Sequence, residues 1–166
     1  MRPSVVDEPF RISVVGIARP QGSKSARIVR GRPILTDGFG DNPRRLKEWR
    51  GAIADAARAW LAVHPPRAPF DEPLTFSATF YLPRPPSTPK RIAWPMRKPD
   101  LSKLIRAAED ALTGIVYVDD ARITRLLVEK RFAIDAPPRV EICVMPVAAG
   151  IDIMASASRS PCRLSG

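Results

Sequence analysis

Five acidic residues crowd the segment from Lys98 to Ile123: Asp100, Glu109, Asp110, Asp119 and Asp120. Four of them, Asp100, Asp110, Asp119 and Asp120, are candidate ligands of one metal site, because a hard divalent cation prefers several oxygen donors. Mixed charge is also ordinary on an exposed helix, and Asp-Asp is a common turn pair. The metal reading rests on carboxylates gathering within one short segment of a strongly basic chain.

A helix must carry the first of these acids. Leu101, Leu104, Ile105, Ala108, Ala111 and Leu112 follow the i, i+3, i+4, i+7 spacing of an amphipathic helix running from Asp100 to Gly114. Its other face then holds Ser102, Lys103, Arg106, Glu109 and Asp110. Asp100 follows Pro99 at the start, where free backbone donors favour a carboxylate, and Gly114 supplies a left-handed ending residue. The apolar run Ile115 to Val118 then swings Asp119 and Asp120 back towards the acidic face.

These residues fall into three ordered blocks: Lys98-Pro99-Asp100-Leu101-Ser102-Lys103-Leu104-Ile105-Arg106, Asp110-Ala111-Leu112-Thr113-Gly114, and Asp119-Asp120-Ala121-Arg122-Ile123. The set resembles the signature of the RusA family of Holliday junction resolvases, K-P-D-x-D-N/K-L-x-K/R, then D-A-L-T/N-G, then D-D-x-Q/R-I/V. A weaker echo lies at Arg19-Pro20-Gln21-Gly22-Ser23-Lys24.

The resemblance implies a magnesium-dependent nuclease, with manganese able to substitute and no small-molecule cofactor. It implies catalytic acids at Asp100 and Asp120, with Asp110 and Asp119 supporting them, and puts the family's functional lysine at Arg106. Arg106 or Lys103 would steady the phosphate or the leaving oxygen. The second acid of the family's D-x-D pair falls on Ser102, which carries no charge and is a poor magnesium ligand. That departure leaves two readings open: resolution of four-way DNA junctions by paired phosphodiester hydrolysis, or junction binding with weak or lost cutting.

The rest of the chain agrees with a nucleic-acid partner. It has 166 residues, 27 Lys and Arg against 17 Asp and Glu, and a formal charge of +10, which points to a polyanion. A basic structural protein of ribosomes or chromatin is a weaker alternative on charge alone. No apolar run approaches the roughly 20 residues needed to span a bilayer, and the polar opening Met1 to Pro9 is unlike a secretory leader, so the chain is expected in the cytoplasm, without a membrane partner. Cys143 and Cys162 lack metal-binding spacing and His64 is the single histidine, which argues against zinc and against histidine-based catalysis.

Phe10 to Ile17 reads as a strand, and Ile28 to Thr36 as a hairpin about Gly31 with Arg27, Arg30 and Arg32 on its rim. Asn42-Pro43 opens a long helix with the buried stripe Leu46, Trp49, Ile53, Ala56, Trp60 and Val63. Pro65 to Pro73 reads as a linker. Leu74 to Leu82 alternates apolar and polar residues as a half-buried strand. The proline-rich stretch Arg84 to Pro99 reads as a loop that clamps the DNA backbone, and Ile123 to Ile134 and Val140 to Met145 as two more strands. Expected DNA contacts are Lys24, Arg27, Arg30, Arg84, Lys90, Arg91, Arg97 and Lys98.

The expected architecture is a single α+β domain over residues 1–147, a mixed β-sheet backed by two helices, followed by a disordered tail over 148–166. The resemblance further implies a homodimer, since a four-way junction presents two symmetry-related strands to paired active sites.

Overall fold

A computed structural model describes residues 9–22, 24–37, 42–64 and 69–147, apart from the side chains of 24–27, 29 and 33–37. The tail expected beyond Val147 lies outside these residues. Strand β1 spans Phe10–Val15, β2 Lys24–Val29 and β3 Arg32–Asp37; helix α1 spans Asn42–Val63. Strand β4 (Leu74–Leu82), helix α2 (Leu101–Leu112), a short 3-10 turn (Asp120–Arg122), β5 (Ile123–Phe132) and β6 (Arg139–Pro146) complete the order.

The main sheet has the order β1-β6-β4-β5, with β4 and β5 parallel and the other neighbours antiparallel. It is the mixed sheet with two helices expected of a single α+β domain. The parallel pair requires a crossover, and α2 supplies it, so β4, α2 and β5 form a βαβ unit. β5 and β6 follow each other in sequence yet do not pair; β6 lies on the other side of β4. The alternation of β4 sends Leu74, Phe76, Ala78, Phe80 and Leu82 into the core, all buried.

Helix α1 packs on β1 and α2, with Trp49, Ile53 and Ala57 in the common core. The expected stripe is wrong at its end: Val63 is 77% exposed. Continued at helical spacing from Ala57 and Trp60, the stripe reaches His64 and not Val63. There the imidazole stacks on Trp60 at 3.8 Å between ring centres. Trp60 also meets Phe10 edge to face at 5.1 Å. Gly16 has φ of 148°, and a Cβ there would sit 3.0 Å from the Trp49 ring, so β1 can pass α1 this closely only with glycine.

The hairpin is longer than expected, beginning at Lys24 and pairing through Val29 with Arg32. Arg30 and Gly31 form its two-residue turn with φ of 51° and 76°, the positive pair that matches strand twist. Phe70, inside the segment read as a linker, is buried. Its N–H donates to the Val116 carbonyl at 2.8 Å and its own carbonyl accepts from Val118 N–H at 3.1 Å. That segment holds the chain that leaves α2.

Candidate active site

Asp100 is the N-cap residue of α2, with extended φ and ψ of −70° and 134°. Its carboxylate makes no capping hydrogen bond, contrary to expectation; it lies 3.5 Å from Lys103 Nζ and its side chain is 48% exposed. The carboxylate is thus uncapped and half-exposed, with Lys103 as its ion-pair partner. Gln21 N–H donates to the Lys103 carbonyl at 2.9 Å, which brings this residue of the amino-terminal motif against this end of α2. Lys130 on β5 donates to the carbonyls of Arg97 and Pro99 at 2.9 and 3.0 Å. The backbone entering Asp100 is thereby tied to the sheet.

At the other end of α2, Gly114 takes φ of 76° and its N–H donates to the Tyr117 carbonyl at 2.7 Å. The buried Tyr117 hydroxyl donates to the Glu109 carbonyl at 2.9 Å. This return brings Asp120 back within electrostatic reach of the helix. Burial, reinforced by Asp120 and Asp110 and offset by Arg106, pushes the Glu109 carboxyl above the usual carboxylate range. Burial, then the charges of Glu109 and Asp120, pushes up the Tyr117 phenol. Asp119 caps the 3-10 turn, its Oδ1 accepting from Ala121 N–H at 2.8 Å. Asp110 stands 3.5 Å from Arg50 of α1, and Arg122 donates to Asp71 Oδ1 at 2.6 Å.

The four candidate metal ligands thus form two groups. Asp100 with Lys103 lies at the amino end of α2; Asp110, Asp119 and Asp120 lie towards the carboxyl end with Glu109. The helix has 12 residues, about 18 Å at 1.5 Å per residue. Among the described residues no three His, Cys, Asp or Glu side chains are grouped so as to hold a metal ion. The donors nevertheless suit magnesium in kind, being carboxylate oxygens. Ser102 is exposed on the first turn. At 100° per residue it shares its side of the helix with Glu109, two turns on.

Lys90, Arg91, Arg97 and Lys98 are exposed on the loop before Asp100, and Arg30 is exposed at the hairpin tip. The side chains of Lys24 and Arg27 lie outside the described residues. The Arg84 guanidinium donates to the Pro89 carbonyl at 2.8 Å and lies 4.9 Å from the Phe132 ring centre. It braces the loop. Sequence reasoning missed three residues here, Glu109, Lys130 and Trp94. Glu109 was legible as the fifth acid of the segment, whereas Lys130 acts across the sheet and gives no local signal. Trp94 is 53% exposed in the basic loop, where an aromatic among prolines and bases was the available sign.

A family model described as Endodeoxyribonuclease RusA matches residues 19–145. Over 150 residues the chain is 26% identical to a Bacillus subtilis (strain 168) protein named Uncharacterized protein YqaN, spanning 84% of this chain and 98% of that protein.

Proposed function

Because the chain belongs to the RusA endodeoxyribonuclease family, we propose that it is a magnesium-dependent, structure-specific endonuclease that resolves four-way DNA junctions by paired phosphodiester hydrolysis. The observation that carries the proposal is the return of the chain through Tyr117. It sets Asp120 within electrostatic reach of Glu109 on α2, while the uncapped, half-exposed Asp100 carboxylate stands beside Lys103 at the other end. Asp100 and Asp120, helped by Asp110 or Asp119, would hold magnesium, with manganese as a substitute. Bound there, the ion would lower the pKa of a water and offset charge on the pentavalent phosphate. Arg106, exposed on the same helix face, offers a guanidinium fork to the phosphate, and Lys103 beside Asp100 offers an ammonium to the leaving oxygen.

The separation of the two acidic groups also supports a homodimer. In it, Asp100 of one protomer faces Asp119 and Asp120 of its partner, so that two chains make two complete sites. Two such sites related by a two-fold axis match the two strands that a four-way junction offers for cutting.

Ser102 favours a second reading, a protein that binds junctions and cuts them poorly, because one carboxylate of the family pattern is missing. One experiment decides. A synthetic four-way junction is incubated with the parent and with Asp120→Asn, in magnesium and in calcium. The nuclease reading expects magnesium-dependent paired nicks from the parent, near-total loss in Asp120→Asn and unchanged junction binding in calcium. Binding without nicks by the parent would sink it in favour of the second reading.

A further inference from the structure

The loop between β4 and α2 roofs a cleft of about 250 Å³. Its wall includes Leu82 and Phe132 from the ends of β4 and β5, both buried, with Ile92 and several prolines of the loop. Trp94 and Met96 also line it and are 53% and 77% exposed. Large apolar side chains left in water are informative where they adjoin a formed cavity. Two turns, Thr88 N–H to Pro85 carbonyl and Ile92 N–H to Pro89 carbonyl, stiffen the loop at 2.9 and 3.0 Å. Arg131 lies 5.3 Å from the Trp94 ring centre, while Arg84 ties the loop to Phe132.

Arg97 and Lys98 line the same cleft, are exposed, and run directly into Pro99 and Asp100. An acidic peptide would use the cations and leave the apolar hole empty; a fatty chain would do the reverse. A nucleotide has both parts, a planar ring for the hole and a phosphate for the bases at its rim. The volume falls just below the roughly 300–1,000 Å³ of clefts for drug-sized ligands, which suits one ring system. We propose that this cleft is a subsite for a single unstacked nucleobase of the DNA junction, an inference that rests on the DNA-cleaving function above. Seating one base there holds its backbone beside Arg97 and Lys98 and leads the strand to Asp100. Bases at a strand exchange point are the ones most cheaply unstacked.

The test uses the full chain in calcium and a set of four-way junctions carrying 2-aminopurine singly at each position flanking the exchange point. The expected result is one position whose fluorescence rises on binding and resists acrylamide quenching. Ser87→Trp fills the cleft from its exposed rim, and Trp94→Ala removes an exposed wall. Each should abolish that protection and lower junction affinity about tenfold, with linear-duplex affinity unchanged. Circular dichroism confirms the fold of each variant, and Trp94→Ala decides alone if Ser87→Trp does not fold. A parent that binds the junction with no protected position overturns the subsite and leaves the nuclease reading standing. Protection that survives both variants also overturns it. A parent that binds no junction overturns both.

Discussion

Glu109 lies half-buried beside Asp110 and Asp120, and the departure of its carboxyl from the ordinary range has a consequence for stability. Its folded pKa exceeds its unfolded one, so the folded chain binds more protons in the window between them, and stability falls as pH rises through that window. Glu109→Gln removes the charge responsible. In metal-free buffer the variant should melt higher than the parent at neutral pH, with the two converging in acid below the carboxylate range. A lower neutral Tm for the variant would show that the carboxylate is compensated in the fold. Asp110 and Asp119 carry a second, structural use, since one pairs with Arg50 and the other caps the 3-10 turn.

At the scale of elements, the βαβ unit is what gives α2 its place. β4 delivers the chain to the loop, α2 runs back along the sheet, and β5 leaves beside β4. Lys130, on β5, ties this unit together by holding the carbonyls on either side of Lys98. Lys130→Met keeps the stem and removes the two charge-assisted hydrogen bonds. It should cost about 1–3 kcal/mol of stability and lower the cleavage rate about tenfold by loosening Asp100, with the junction Kd changed little. Melting curves and single-turnover rates check this. A Tm loss with an unaltered rate would assign Lys130 to folding alone.

The whole molecule carries a formal charge of +10, and none of its described helices is long and apolar enough to cross a membrane. If Lys90, Arg91 and Arg97 meet phosphates, junction affinity should fall with salt. Replacing all three by Ala should then flatten the log-log slope by about 0.9 for each phosphate contact removed. A parental slope in the triple variant would move the DNA path elsewhere. The shared-site dimer makes a sharper prediction. Asp100→Asn and Asp120→Asn should each be inactive, yet a mixture of the two allowed to exchange subunits should nick junctions, because one of the two sites in a mixed dimer receives both native acids. Gel assays of the mixture read this directly, and inactivity despite proven exchange would place both acids in one protomer's site.

The family signature, α2 with its N-cap residue and left-handed glycine, and the alternation of β4 were all legible in the sequence, because each depends on residues within a few positions of one another. Helix period, strand period and cap chemistry are local. What tertiary structure alone decided is everything that crosses between elements. The Val63 error is not of this kind, since helical spacing by itself leads to His64. The insertion of β6 between β1 and β4 is one case, since hydrophobic alternation marks a strand and says nothing of its neighbours. A larger one is the site itself: a motif written in sequence order looks like one cluster, but a rigid helix of 12 residues keeps its two ends apart. Backbone hydrogen bonding fixes that span, and only the folded chain shows that Asp100 and Asp120 face opposite ends of it.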